Sequence, residues 1–526
     1  MRTIGPPRSA AVNETWRGRY RFTVHNRTAP THGDPHDPSA PKGTVAVIGA
    51  GIAGLVAAYE LEQLGYEVIV LEGSQRVGGR IYTYRFSGPH ADSPVAELGA
   101  MRFPARHMHT MAYISRLGLA DELRPFKSLL ADDNALHGTT SGYLRLGEAP
   151  RALMTDLREA LRPRSYRDAT LLFAAQLSLI VDAIAPPSQR EGLRHDLHSR
   201  LLDRVEEIDL RAYLTGHREA GIDLHGIFAQ HPELRGACGG DLNTFLDDIL
   251  TETSAELFRI RGGMARLTDR LARRLHRPIQ HGREVVGMAV QHDGVVLTIR
   301  DRGRMVTRRC DIVVCTAPLP VLRRMRLSGF ATDKLDVIHG VKYVPATKIA
   351  FHCREAFWER EGISGGASFS GGSVRQTYYP AIDGDRALGA VLLASYTIGD
   401  EAEQWGQMPA HQRHAAVLSE LSRMHPQLGS PGMVLGAVSL AWGRNKWSGS
   451  GCSVRWGKTL AEQEEERQAV ARPVGPLFFA GEHCSTAPAW IDGAIQSAIE
   501  AVGQIVLWNS GQRGAPRPAF SSATDA

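Results

Sequence analysis

Cysteine is scarce in this 526-residue chain, and long apolar runs and a strong net charge are missing as well. The six cysteines form no CxxC pair and no metal-like spacing, which argues against a disulfide framework and predicts a reducing compartment, the cytoplasm. No apolar stretch reaches the length of a membrane span, and the N-terminal residues lack the apolar core of a signal peptide. Lys and Arg number 61 against 56 Asp and Glu, with no basic run that carries aromatics, so we expect no nucleic-acid partner.

The length of the chain exceeds what one hydrophobic core usually supports, which predicts two domains. Pro, His, Asp and Gly are dense in residues 24–43, and a similar composition follows Gly511. Such segments bury too little apolar surface to fold. We therefore expect a disordered leader over 1–43 and a disordered tail over 511–526.

Four apolar runs predict buried parallel strands, at 44–49, 66–72, 311–318 and 476–481. A helix-like segment separates the first two and makes a strand–helix–strand unit. Elsewhere the patterns predict helices over 151–213 and 409–424, a β-hairpin over 294–309 and a strand over 390–396. Strand-rich pieces thus alternate with helical and mixed inserts, which indicates an α/β protein whose domains interleave along the chain.

A glycine motif, Gly49-x-Gly51-x-x-Gly54, follows the first predicted strand directly and opens the helix. In a dinucleotide-binding unit the first glycine makes the tight turn, the second lets the backbone approach the pyrophosphate, and the third lets helix and strand pack closely. Ile52 and Ala53 then lie at the helix N-terminus, which favours phosphate charge. Glu72 ends the second strand and is placed to bind the adenosine ribose hydroxyls, so the motif favours NAD or FAD over NADP.

Two later stretches decide between those cofactors. In "GSQRVGGRIYTYRF", residues 73–86, Gly79 and Arg80 resemble the extension that follows the first unit in FAD-containing amine oxidases, where the arginine reaches over the pyrophosphate. In "LFFAGEHCSTAPAWIDGAIQSAIEAV", residues 477–502, Glu482 resembles the acid that binds the ribityl chain of FAD. Small residues then open a helix whose N-terminus can stabilise anionic charge on a reduced flavin.

On these motifs the chain is identified as a member of the flavin-containing amine oxidase superfamily, and it most resembles the L-amino-acid oxidases and L-amino-acid 2-monooxygenases. The resemblance covers most of residues 44–508. It implies FAD as cofactor and an FAD-binding Rossmann-like domain of the glutathione-reductase type, interleaved with a mixed α+β substrate-binding domain and a helical insert. The expected boundaries are 44–110, 260–340 and 470–510 for the FAD-binding domain, and 111–259 (helical) and 341–469 (mixed) for the substrate-binding domain.

The resemblance also assigns site residues. The cofactor-binding residues expected besides those named above are Gly99, Ala100, Met101, Arg102, Val285, Gly481, Ile491, Asp492 and Ala494. Arg102, in "GAMRFP", resembles the arginine that grips the substrate α-carboxylate, and a planar guanidinium suits that task because it donates two parallel hydrogen bonds. Tyr379, in "QTYYPAIDG", resembles the tyrosine that donates to the same carboxylate, while Tyr378 would face elsewhere in a strand.

The remaining predicted residues surround the reacting centre. Lys348, in an apolar strand, resembles the family lysine that holds a water against flavin N5. Trp490 is expected to form a cavity wall beside Ala489, whose smallness leaves room for the amino group. Trp442 and Trp447 are expected in the same cavity. Trp490, with Lys348, Arg102 and Tyr379, makes up the expected catalytic set.

The resemblance implies FAD-dependent oxidation of an L-amino acid by oxygen, giving the 2-oxo acid, ammonia and hydrogen peroxide. A 2-monooxygenase that forms a decarboxylated amide, a monoamine or polyamine oxidase, and a non-enzymatic flavin-binding scaffold stay open as alternatives. Cys452 is an alternative site of covalent flavin attachment, and Asp241, Asp247 or Asp248 could attract a basic substrate side chain. We expect no metal and no membrane partner, and a homodimer is one alternative for the oligomeric state.

Overall fold

A computed structural model describes residues 43–86, 88, 92–215, 221–238 and 240–513 of the chain. The predicted leader and tail therefore lie almost wholly outside the described residues. The helices are α1 (Ile52–Gln63), α2 (Met108–Arg116), α3 (Ala149–Ala160), α4 (Asp168–Ile184), α5 (Pro187–Asp196), α6 (Leu202–Glu206), α7 (Leu224–Gln230), α8 (Leu234–Ala237), α9 (Gly240–Glu252), α10 (Ala265–Ala272), α11 (Leu319–Leu322), α12 (Thr332–Gly340), α13 (Asp400–Gln407), α14 (Ala410–Met424), α15 (Leu460–Ala471) and α16 (Ile491–Arg513).

Short strands alternate with these helices. In the first part of the chain they are β1 (Thr44–Ile48), β2 (Glu67–Glu72), β3 (Thr83–Arg85), β4 (Val95–Glu97), β5 (Phe103–Pro104), β6 (Leu123–Pro125), β7 (Leu136–Thr139), β8 (Gly142–Arg145), β9 (Leu214–Thr215), β10 (Gly221–Ile222), β11 (Leu257–Ile260) and β12 (Gln280–His281). The later ones are β13 (Arg283–Gln291), β14 (Gly294–Asp301), β15 (Arg304–Cys310), β16 (Ile312–Cys315), β17 (Arg326–Ser328), β18 (Tyr343–Val344), β19 (Ala346–Cys353), β20 (Ala367–Phe369), β21 (Gln376–Tyr378), β22 (Ala390–Ile398), β23 (Val434–Ala441), β24 (Cys452–Ser453) and β25 (Leu477–Phe479).

The four predicted parallel strands meet in one sheet, in the order β12-β2-β1-β16-β25. Val47 is in register with Val70 on one side and with Val314 on the other. Alternate residues of β1 enter different cores: Val45 and Val47 pack with α1 and α16, whereas Ala46 and Ile48 pack against the β13–β15 side. Both faces are covered, which explains why these strands are apolar at nearly every position.

A second, seven-stranded sheet follows the order β23-β19-β22-β21-β20-β7-β8. The predicted hairpin over 294–309, the strand over 390–396 and the helix over 409–424 are observed as β14–β15, β22 and α14. The segment 111–259, expected to be helical, also contributes β7 and β8 to the edge of this sheet. Helical periodicity around these short strands hid them, because strands of four residues carry little pattern of their own.

None of the described helices is both long enough and apolar enough to cross a membrane. All six cysteines lie within the described ranges, and each is a free thiol.

Candidate functional site

A cavity of about 710 Å³ runs from the carboxyl end of the parallel sheet to the face of the seven-stranded sheet. Most of the residues predicted for the site line it: Gly49, Gly51, Ile52, Ala53, Glu72, Gly79, Arg80, Gly99, Ala100, Met101, Arg102, Val285, Lys348, Trp442, Gly481, Glu482, Ala489, Trp490, Ile491 and Ala494. Three do not, namely Gly54, Tyr379 and Asp492.

The nucleotide end of the cavity has the features that a dinucleotide needs. Gly49 has a φ of +102°, and a Cβ on Gly54 would lie 2.0 Å from the Gly49 carbonyl oxygen, so Gly54 serves the packing of helix on strand from behind the cavity. No described side chain caps the N-terminus of α1, which leaves its backbone N–H groups for a phosphate.

Glu72 is held at this end by its neighbours' backbone. Its two carboxylate oxygens accept hydrogen bonds from the N–H groups of Ala50 and Ser74, both at 2.7 Å. Trp447 packs against Gly73, since a Cβ there would lie 2.2 Å from its ring. Trp447 lines the cavity, as expected, and it does so at the nucleotide end. These residues fit the adenosine part of FAD.

A partly buried ion pair, Arg80 with Glu482, lines the cavity. Arg80 donates to Glu482 at 2.8 Å, and the other oxygen of Glu482 accepts from the Ser453 hydroxyl at 2.6 Å and from the Ala489 N–H at 3.1 Å. Burial opposes the ionisation of Glu482, but Arg80 and these hydrogen bonds outweigh it and lower its pKa to about 2. Ala489 has a φ of +67°, a strained conformation that its bond to Glu482 helps to maintain.

Arg102 lies at the opposite end, with only 6% of its side chain exposed. Its guanidinium carbon lies 5.3 Å from the ring centres of both Phe126 and Tyr378, and the group is paired with the carboxylate of Glu252. Burial lowers the pKa of Arg102, but Glu252 more than offsets this effect and the pKa is raised. The structure thus places a fixed guanidinium in the cavity with a carboxylate bound to it.

The tyrosine beside Arg102 is Tyr378, and the prediction of Tyr379 is wrong. Tyr378 ends β21 and packs with the core that faces Arg102, whereas Tyr379 enters the core on the other face of the sheet. The Tyr379 hydroxyl bonds to the Ser368 hydroxyl at 2.5 Å and to His425 Nε2 at 2.7 Å. The Tyr378 hydroxyl is buried and has no hydrogen-bond partner among the described residues. The sequence predicts that the side chains of Tyr378 and Tyr379 point to opposite faces of the sheet, but it does not indicate which face carries the site.

These two tyrosines provide a matched test. We expect Tyr378→Phe to raise KM for a carboxylate-bearing substrate about tenfold, since a hydrogen bond to a charged group is worth about 1.5–3 kcal/mol. Tyr379→Phe leaves His425 Nε2 without its partner, while Nδ1 keeps Glu361, and we expect it to lower the free energy of unfolding by about 1–3 kcal/mol with KM unchanged. Steady-state kinetics and urea unfolding of both variants measure this. A rise in KM confined to Tyr379→Phe would reverse the assignment.

Lys348 lies in β19, 4% exposed, and reaches the cavity beside Arg102. Its ammonium group donates to the Gly99 carbonyl at 2.6 Å and lies 4.6 Å from the centre of the Tyr396 ring. Burial, and next the charge of Arg102, lower its pKa to about 7. Lys348 can therefore exchange a proton near neutral pH.

Aromatic side chains form the walls between these groups. Trp442 donates from Nε1 to the Leu98 carbonyl at 2.7 Å, which fixes its ring. Trp490 packs edge-on against His107, with ring centres 5.1 Å apart. Burial lowers the pKa of His107 to about 4, so its imidazole is neutral.

Asp492 does not face the cavity, contrary to expectation. Its carboxylate accepts from the backbone N–H of Thr110 at 2.7 Å and lies 3.1 Å from His109 Nδ1. It caps the first turn of α2 and ties this helix to the start of α16. Cys452 does line the cavity, and burial raises the pKa of its thiol to about 12. Its covalent attachment to a flavin stays an open alternative.

Sequence reasoning missed much of the substrate end. Glu252, Tyr396 and His107 line the cavity without having been predicted. Phe245 and Trp456, which were not predicted individually, line it as well. Of the acidic residues considered in the helical insert, Asp247 and Asp248 line it too, while the side chain of Asp241 lies outside the described part of the structure. No local signal marks Glu252, whose partner Arg102 is 150 residues away.

Comparison of the sequence and the fold with known proteins finds similarity to flavin-dependent amine and amino-acid oxidases. The family model for flavin containing amine oxidoreductase matches residues 52–506. The chain is 53% identical to the flavin-dependent L-tryptophan oxidase RebO of Lentzea aerocolonigenes, over 87% of this chain and 97% of that protein. It is 27% identical to the L-amino-acid oxidase of Protobothrops flavoviridis, over 87% of each chain. Putrescine oxidase bound to putrescine shares the fold at a TM-score of 0.59 and 18% identity, over 88% of this chain and 99% of the other.

Proposed function

This chain belongs to the flavin-containing amine oxidoreductase family, and from that premise we propose that it is an L-amino-acid oxidase whose substrate is L-tryptophan or a close indole analogue. FAD is the cofactor, as the motifs predicted, and the α/β fold class is confirmed by the family and by the shared fold. The observation that carries the proposal is the buried guanidinium of Arg102, already bound to a carboxylate inside the cavity. The 53% identical L-tryptophan oxidase supports the choice of side chain.

The residues of the cavity suit a substrate with an α-carboxylate. The substrate carboxylate binds the remaining N–H donors of Arg102, since a guanidinium carries five of them and Glu252 accepts from one in this structure. The ring of Tyr378 packs beside the guanidinium, and its hydroxyl, which has no hydrogen-bond partner among the described residues, is the second donor that we assign to the substrate carboxylate. A polyamine carries positive charge instead, which Arg102 repels.

The same groups prepare the amino group for oxidation. The substrate must be a neutral amine at the reacting carbon, and both burial and the neighbouring Arg102 disfavour its ammonium form. FAD, when bound, takes up two electrons from the substrate and passes them to oxygen. Lys348, with its pKa near 7, is placed to hold a water or a proton beside the reacting atoms. The imino acid then hydrolyses to the 2-oxo acid and ammonia.

The test compares L-amino acids with their decarboxylated amines, by hydrogen peroxide release and product analysis. We expect the highest kcat/KM for L-tryptophan, a value at least about 100-fold lower for tryptamine because two charged hydrogen bonds are lost, and 2-oxo acid with ammonia in equal amounts. Equal oxidation of tryptamine would make the protein an amine oxidase. Carbon dioxide together with an amide would make it a 2-monooxygenase. The cytoplasmic location and the homodimer stay predictions.

A further inference from the structure

Helix α9 presents one face to the substrate end of the cavity. Phe245, Asp248 and Glu252 all line the cavity and are spaced three and four residues apart, as neighbours on one helical face are. Glu252 marks the carboxylate-binding end because it is paired with Arg102. Asp248 and Phe245 therefore lie where the side chain of a substrate held by Arg102 would extend.

Asp248 already accepts a hydrogen bond from an indole. Trp456 Nε1 donates to its carboxyl oxygen at 3.3 Å, and the rings of Trp456 and Phe245 pack with centres 5.4 Å apart. A carboxyl group accepts several hydrogen bonds, and among the described side chains this long one is the only one to Asp248, which leaves capacity for another donor. Desolvation in the cavity wall raises the pKa of Asp248 to about 7.

The spacing along α9 matches the length of the proposed substrate. Four residues separate Asp248 from Glu252, which corresponds to about 6 Å along a helix axis. In L-tryptophan the carboxylate and the ring N–H stand at opposite ends of the molecule, separated by a comparable distance. The aromatic pair of Phe245 and Trp456 offers flat apolar walls between those ends.

We propose that Asp248 is a specificity-determining residue that accepts the ring N–H of an indole side chain, while Phe245 and Trp456 enclose the ring. This proposal rests on the function proposed above and deepens it. A carboxyl group beside aromatic rings discriminates by an N–H group, because only a substrate with that donor adds a second hydrogen bond to the one from Trp456.

The experiment measures kcat/KM of the holoenzyme for L-tryptophan, L-1-methyltryptophan and L-phenylalanine. We expect the wild type to favour L-tryptophan over its 1-methyl derivative at least tenfold. Asp248→Leu should lower kcat/KM for L-tryptophan about 10–100-fold and leave L-phenylalanine within about twofold. Asp248→Asn, which keeps one acceptor oxygen, should fall between the two. Glu256→Gln, an exposed change just beyond the same helix, is the matched charge control.

Isothermal titration with indole-3-propionate and its 1-methyl derivative gives a readout without turnover, and the same tenfold ratio is expected in Kd. Equal kcat/KM and equal Kd of the wild type for the methylated and unmethylated ligands would overturn the proposal. This comparison holds even where the Asp248 variants do not fold. A preference for L-lysine that Asp248→Asn abolishes would overturn it too, since the carboxyl would then bind a cation. Failure of every L-amino acid to release peroxide contradicts the proposed function itself, which separates the two outcomes.

Discussion

Arg102→Lys is expected to lower kcat/KM for L-tryptophan by at least about 100-fold, with most of the effect in KM. Lysine keeps the positive charge but cannot donate two parallel hydrogen bonds to a carboxylate, each of which is worth about 1.5–3 kcal/mol. The ammonium group still neutralises Glu252, so the variant should fold. Arg102→Ala would also leave that carboxylate buried and unpaired, at a cost of about 3–5 kcal/mol in stability.

The control for this variant is its activity on tryptamine. An amine without a carboxylate gains nothing from the clamp. Arg102→Lys should therefore leave kcat/KM for tryptamine within about threefold of the wild type, which is less than the 1.4 kcal/mol of a tenfold change. Steady-state assays on both substrates provide the ratio. A wild-type KM for L-tryptophan in Arg102→Lys would contradict the carboxylate clamp and with it the proposed substrate class.

Lys348→Met is expected to lower the rate at which the reduced enzyme reacts with oxygen by about 100-fold, the scale of a lost proton-transfer group. Rapid mixing under anaerobic conditions separates this step from the oxidation of the amino acid, which should fall less than tenfold. In the wild type, Lys348 loses its proton as the pH rises through about 7, so the oxygen step should change with pH around that value. In Lys348→Met the rate of the oxygen step should not change with pH around 7.

The titration of Lys348 also predicts how the stability of the folded protein depends on pH. The pKa of Lys348 is about 7 in the folded protein and 10.5 as its ordinary value, so between these values the unfolded chain binds the extra proton. The contribution of Lys348 to the free energy of unfolding therefore rises with pH across that window. Arg102, Glu97 and Glu252 are the charged groups that act on Lys348, and all three remain in Lys348→Met. An identical rise in Lys348→Met, measured by urea unfolding at several pH values, would show that another group titrates.

The nucleotide-binding half of the site was predictable because its parts are local in the chain. The glycine motif follows its strand directly. Glu72 lies 22 residues from Ala50 and accepts a hydrogen bond from the backbone N–H of that residue. Apolar runs covered on both faces stand out in the sequence, and all four of them entered the same sheet. Similar motifs identified Arg80, Arg102, Lys348 and Glu482 without any knowledge of their contacts.

The substrate end needed the tertiary structure, since its contacts join distant segments. Lys348 reaches the Gly99 carbonyl across 249 residues, and Trp456 reaches Asp248 across 208. A strand pattern showed that Tyr378 and Tyr379 point in opposite directions, but only the packing of helices on one face of the sheet decided which of them meets Arg102.

The order of residues by itself therefore determined the cofactor, the fold class and the guanidinium that binds a carboxylate, because each depends on a short run of neighbours. Which carboxylate pairs with that guanidinium, and which face of α9 lines the cavity, follow from the packing of segments that share no local pattern. The physical reason is that backbone geometry is set by adjacent residues, whereas the walls of a cavity are set by whichever side chains the completed fold brings together.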